Sequence, residues 1–299
     1  MSSPSSYIFA LSLCGAAACA FDGNNNSNNG GSATDAAAID ATNGPDGMAE
    51  DDAGLSEAPH LLISEIRNKT GGREFIEIYN PGDSAVSLDN YYLADNGAYI
   101  NVPAGSSRPE LDRDFVVRFP LGSTISSKGV VVVGIQLREI VDDEPKITAQ
   151  FHIVPDNAVA MGVKMLAAHP GSVRGAPTLT DPGEGVILFH WDGVSNLVSD
   201  VDIVVAGDNP ASGNLPPNKT GQSVIGPSGT TSTYASDLAL FPPSTDSLQG
   251  EESYQRIALE GDHEIQEGNG NGITGHDETS EDTTMTWEIR TMTPGTTDL

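Results

Sequence analysis

Beyond residue 60 the apolar residues come in short runs, each closed within a few positions by Pro, Gly, Asn or Asp, and no segment repeats them at helical spacing for long. A chain written this way must pair its runs as strands and bury the faces of the resulting sheets. His60–Arg67 (HLLISEIR) and Glu74–Asn80 (EFIEIYN) are two such runs, and Lys69-Thr70-Gly71-Gly72 between them signals a hairpin. In the second run Ile76 and Ile78 point one way and Phe75, Glu77 and Tyr79 the other, the period of a half-buried strand. Pro81-Gly82-Asp83 ends it, and Ala85–Leu93 brings the next run. Further strands are expected within Phe115–Phe119, Gly129–Ile135, Gly185–His190, Ser199–Val205, Tyr254–Ala258 and Met285–Ile289. Val130–Val133 is apolar throughout and reads as a strand covered on both faces. Residues 158–168 admit a short helix or a strand equally, and 103–109, 170–184, 207–232 and 242–247 read as surface loops.

Residues 1–59 have a different composition. Tyr7–Ala20 (YIFALSLCGAAACA) is too short for a membrane-spanning helix, which needs about 20 apolar residues. Its length suits the apolar part of a secretory signal, although MSSPSS before it lacks the usual basic residue. The two cysteines, Cys14 and Cys19, both lie here, so the rest of the chain is expected to fold without disulfides or thiolate metal sites. Ala16-Ala17-Ala18-Cys19 is similar to a bacterial lipoprotein processing box, in which the cysteine is acylated and becomes the new N-terminus. Ala18-Cys19-Ala20 also fits an A-x-A site for ordinary secretion. Lipidation is the preferred reading, because Phe21–Pro59 is polar, acidic and free of Lys and Arg, as a flexible tether would be. The expected organisation is a lipoprotein-type signal peptide over 1–19, a disordered acidic linker over 20–59 and a β domain over 60–299. Such a protein would be exported and held at the cell envelope or surface.

The order of the strand-like pieces carries a resemblance. LLISEIRNKTGGREFIEIYNPGDSAVSLDNYYLADN resembles the opening of a lamin-tail domain, through Ile63, Glu65, Glu74, Phe75, Ile76, Glu77, Asn80, Pro81, Val86, Leu88, Tyr92 and Leu93. Ile125–Ile135, the Asp192-Gly193 hairpin within 185–205, Ser253-Tyr254-Gln255-Arg256 and Thr293-Pro294-Gly295 are similar to later family motifs, in the same order. The resemblance implies an all-β, immunoglobulin-like sandwich over 60–299, with insertions at 100–115, 136–183 and 207–250. Glu65, Glu77, Asn80 and Arg256 are then structural residues. The two glutamates would accept backbone hydrogen bonds or pair with Arg256, and Asn80 would form the turn before Pro81-Gly82. Trp191 and Trp287 read as packing residues.

Glu65 and Glu77 on neighbouring strands also admit a glycosidase-like carboxylate pair. No nucleophile elbow, zincin, P-loop or dinucleotide motif accompanies them, and the six histidines never stand two or four apart. The chain is therefore read as not an enzyme, with a secreted hydrolase acting on surface polysaccharide as the alternative. Fourteen basic residues against 42 acidic ones give a net charge of −28, which excludes binding to nucleic acid or anionic headgroups and leaves an acyl chain as the membrane contact. The densest acidic block, 260–282, reads as a solvated loop. If it bound calcium, as a calcium-dependent adhesion module would, Asp277, Glu278, Glu281 and Asp282 would be the ligands. The function expected is a non-catalytic binding or structural module that meets an extracellular protein or polysaccharide through its loops.

Overall fold

The computed structural model describes residues 60–69, 73–109, 111–135, 147–153, 162–207, 209, 215–238, 247–264 and 269–299. All fall in the second of the two units into which the chain divides, Ala53–Leu299. The signal-like segment, Cys19 and the linker lie outside the described residues.

The fold is all-β. In chain order the strands are β1 (Leu62–Arg67), β2 (Glu74–Tyr79), β3 (Val86–Ser87), β4 (Tyr91–Ala94), β5 (Val116–Arg118), β6 (Thr124–Ile125), β7 (Val130–Ile135) and β8 (Phe151–Ile153). They continue as β9 (Val163–Lys164), β10 (Leu166–Ala167), β11 (Glu184–His190), β12 (Ser199–Ala206), β13 (Ser223–Ile225), β14 (Thr231–Thr233), β15 (Glu252–Arg256) and β16 (Trp287–Thr291). One sheet has the order β16-β15-β1-β2-β7-β8-β9 and the other β10-β5-β4-β11-β12; β13-β14 and β3-β6 are small ribbons. The two sheets face each other as an immunoglobulin-like sandwich. Ile63, Ile66, Ile76, Ile78, Val131 and Val133 from the first interlock with Leu93, Val117, Val186, Leu188 and Val204 from the second.

The strand pattern is met with informative differences. β2 alternates as its sequence dictates, yet all six of its residues are buried. Its second face is covered too, with Phe75 packing on Val132, Ala149 and Met292. β1 breaks strict alternation through a bulge. Its register against β2 shifts between Ile63 and Glu65, so Ile63 and Ile66 both enter the core while Ser64 and Glu65 turn outward. Met285 belongs to a helical turn (Thr283–Thr286) and not to a strand, because the Asp282 carboxylate caps that turn by accepting from the Thr284 N–H.

The segments read as insertions build structure. Residues 163–167 pass from the edge of one sheet (β9) to the edge of the other (β10), and Met165 between them enters the core. Within 158–168 the strand alternative therefore holds for the residues described. A 3-10 helix over Gly97–Ala104 lies on the outer face of the second sheet, where Tyr99, Ile100 and Val102 pack with Val224 and Tyr234 against Tyr92, Ile187, Phe189 and Ile203. Phe189 is fully buried there, its ring 5.0 Å from Tyr92 and 5.1 Å from Tyr99. Phe189→Ala is expected to cost about 3–5 kcal/mol in urea unfolding, because the cavity lies between the sheet and the helix that covers it.

Candidate functional site

Glu65 and Glu77 are directly opposed on β1 and β2, as the sequence suggests. They do not line a cleft. Both are at most 1% exposed, roofed by the C-terminal segment. Glu65 accepts hydrogen bonds from Ser253 Oγ (2.5 Å), Thr293 N–H (3.0 Å) and Gln255 Nε2 (3.4 Å). Glu77 accepts from Ser64 Oγ (2.7 Å) and Gly295 N–H (2.6 Å). The family-like glutamates thus hold the family-like Thr-Pro-Gly. Burial pushes the Glu77 carboxyl up to about 7 against these hydrogen bonds, and it raises Glu65 as well. Asn80 forms the expected turn. Its Oδ1 accepts from Gly82 N–H (2.9 Å) and its Nδ2 donates to the Ser84 and Ser126 carbonyls.

Arg256 does not pair with either glutamate, which corrects that expectation. It lies at the other side of β1, completely buried, with its guanidinium 4.9 Å from the Trp287 ring. Its Nε donates to the Ile63 carbonyl (2.9 Å), Nη2 to Asp202 Oδ2 (2.9 Å) and Nη1 to Glu281 Oε1 (2.5 Å), and Glu260 Oε1 stands 3.3 Å away. The same Asp202 oxygen accepts the Ile63 N–H at 2.6 Å. Side chains from two distant segments, Asp202 on β12 and Arg256 on β15, therefore hold both backbone groups of Ile63, where the β1–β15 ladder has ended. Burial opposes charge on Arg256, but Asp202, Glu281 and Glu260 outweigh it and raise its pKa. Burial and mutual repulsion push the Asp202 carboxyl up despite Arg256.

The acidic block 260–282 is consequently not a solvated loop. Glu260, Glu264, Asp277, Glu278 and Glu281 are all buried. Nor do the four calcium candidates converge. Asp277 accepts from the Leu238 N–H, Thr279 N–H and Thr279 Oγ1; Asp282 caps its helical turn; Glu281 belongs to Arg256. Glu278 and Glu281 fall in two different groups of possible metal donors: Glu281 with Asp202 and Glu260 around the Arg256 guanidinium, and Glu278 with His60 and Glu260. His60 is brought in from the residues leading into β1, and Glu260, though it opens the acidic block, carries no spacing that marks it as a ligand.

Other buried charges are structural. Lys219, wholly inaccessible, stands 2.7 Å from Asp200 and 3.0 Å from Asp237 beneath the outer ribbon, and Tyr99 donates to Asp200. At one end of the sandwich, burial raises Glu74 to about 7 and Glu184 to about 8; their carboxylates accept the Leu179 and Thr180 N–H groups. A surface pocket of about 260 Å³ lies near that end, lined by Asn68, Lys69, Asp181 and Leu248 among others. It contains neither Glu65 nor Glu77.

The family model for the Lamin Tail Domain matches residues 55–193. This stretch, a little under half of the chain, is similar to a lamin-tail domain. The match ends short of the Ser-Tyr-Gln-Arg and Thr-Pro-Gly motifs, but the strands it covers depend on both. β15 pairs with β1, and Thr293 and Gly295 bind the glutamates of β1 and β2. Among solved structures, the chain is similar to a DUF4876 family protein from Bacteroides thetaiotaomicron, at 17% identity and a TM-score of 0.39, over 77% of this chain and 70% of that one. No curated protein matches the sequence.

Two outcomes follow for the β-sandwich. An acid whose pKa is raised by folding stabilises fully below its unfolded value, near 4.5, and loses that contribution as pH climbs through the folded value. Unfolding free energy should therefore fall between about pH 5 and pH 8. Glu77→Gln should flatten the fall by one proton's share, at most about 1.4 kcal/mol per pH unit, in urea titrations across that range. Arg256→Met should cost about 3–5 kcal/mol by stranding buried carboxylates. Arg256→Lys should recover little of it, because an ammonium lacks the planar fork that reaches Ile63, Asp202 and Glu281 together.

Proposed function

We propose that the protein is an exported, non-catalytic binding or structural module, held at the cell envelope by an acyl chain on Cys19 and offering its lamin-tail loops to an extracellular protein or polysaccharide. The observation that carries this reading is the closure of Glu65 and Glu77. The pair that most resembles an acid/base site is roofed by Thr293–Gly295, with each carboxylate committed to donors within the domain. A glycosidase needs its two carboxyl groups open to a sugar. Charge supports the choice of partner, since −28 repels phosphate backbones and anionic lipid surfaces alike. Exposed turns such as Asp192–Ser195, where Asp192 accepts from the Val194 and Ser195 N–H groups, are ordered enough to serve as a recognition surface. Among the described residues no helix is long and apolar enough to cross a membrane, so on this reading the anchor is the lipid.

The test is intact mass and detergent partitioning of the full chain made in a bacterial host, beside Cys19→Ser. The wild type should carry acyl mass beginning at Cys19 and enter the detergent phase, and the variant should stay aqueous. Unacylated wild type starting near Ala20 would make this a freely secreted module. Release of reducing ends from surface polysaccharide by the wild type and not by Glu77→Gln would replace the binding module with a hydrolase.

A further inference from the structure

Glu278 is wholly buried, and neither of its carboxylate oxygens is in a hydrogen bond. That is costly in a sandwich where the other buried acids are given donors. Its Oε2 faces His60 Nε2 at 3.9 Å, and the same nitrogen stands 3.0 Å from Glu260 Oε2, which is also outside any hydrogen bond. Each of the three residues offers one donor atom, and these atoms all lie within 4.8 Å of one another. Arg256 does not supply the missing charge. It faces Asp202, Glu260 Oε1 and Glu281, so Glu260 stands between two clusters, one oxygen toward the guanidinium and the other toward His60.

We propose that His60, Glu260 and Glu278 bind one zinc-class divalent cation, which fastens the 260–282 segment to the residues leading into β1. A tetrahedral zinc with ligands at about 2.0–2.2 Å places neighbouring donors roughly 3.3 Å apart. The two measured separations from His60 Nε2 lie on either side of that value. One imidazole nitrogen with two carboxylate oxygens is also a donor set for zinc and its first-row neighbours. Calcium calls for six to eight oxygens and no nitrogen. Electrostatics agrees with the geometry. Burial, followed by the charges of Glu260 and Glu264, drives Glu278 toward its neutral form, and a dication between the three side chains is what would let it ionise. The site would be a buried one, since the His60 side chain is 8% exposed and Glu260 3%.

The experiment uses the full chain, stripped with a chelator and returned to buffer with physiological salt and excess Ca²⁺ to occupy surface carboxylates. Titration with Zn²⁺ should show one saturable equivalent and a rise in the unfolding temperature, and Co²⁺ at the same stoichiometry should give the visible absorption of a low-coordinate site. Glu278→Gln keeps the side-chain shape, so it should retain the circular dichroism of the wild type. It should lose at least about 100-fold in Zn²⁺ affinity, the upper end of what even second-sphere changes cost. His60→Gln, which leaves every carboxylate in place, should show the same loss and carries the test if Glu278→Gln does not fold. Asp83→Asn, at an exposed carboxylate, should bind as the wild type does. Stoichiometric Zn²⁺ binding retained in Glu278→Gln or His60→Gln overturns the site, and so does a folded wild type that binds no Zn²⁺ in the presence of Ca²⁺.

Discussion

The guanidinium of Arg256 is the constraint on which the rest of this domain is arranged. It sits on β15 of one sheet, reaches Asp202 on β12 of the other, and takes Glu281 from the segment that leads into β16. Burying a charge is unfavourable unless every donor is answered, and here the answer includes a backbone carbonyl of the central strand β1. That carbonyl needs a partner because the bulge at Ser64 leaves Ile63 beyond the reach of the β15 ladder. Bulge, arginine and aspartate are thus one device. The bulge admits Ile63 and Ile66 to the core together, and the two charged side chains replace the hydrogen bonds that it sacrifices.

A second regularity follows from the covering of the outer faces. An isolated sandwich keeps one face of each sheet in water, and its strands then alternate. This one has a lid on each sheet: Met292 and the Thr-Pro-Gly segment over the first, the Gly97–Ala104 helix with Val224 and Tyr234 over the second. The family match stops at 193, but the strands within it carry polar groups that only later residues can satisfy. Residues past 193 therefore complete the strands that the match covers rather than forming an appendage to them.

This also explains how much could be read from the sequence. Ile76, Ile78 and Val130–Val133 declare their strands because alternation and uniform apolarity are local properties. Asn80 declares its turn for the same reason: its carboxamide bonds the chain two and four residues on. Glu65 and Glu77 were legible as neighbours, but what they bind comes from residues 253 and 293–295. The assignment of Arg256 to them failed because a sheet has two faces, and the bulge at Ser64 decides which one β1 presents. The block 260–282 read as solvated because a count of charges along a chain gives no sign that Arg256 and His60 wait at the same place in space. Nothing in the sequence singled out His60, or Glu260 from the rest of its block, since their meeting is a property of the sandwich.

Covering both faces leaves the strand edges as the remaining backbone surface, and these are guarded unequally. The free side of β12 is taken by the 271–273 segment, where Asp200 N–H donates to the Asn271 carbonyl and Ile273 N–H to that of Asp200. Among the described residues β16 ends the first sheet, and it carries exposed Glu288 and Arg290, charges that hinder another strand from adding there. With both faces lidded and these two edges guarded, the loops are what the proposed binding module would offer a partner. Those loops stand on strands whose positions are set by buried carboxylates, so protonation or a cation at that buried layer changes the stability of the frame without touching the exposed loops.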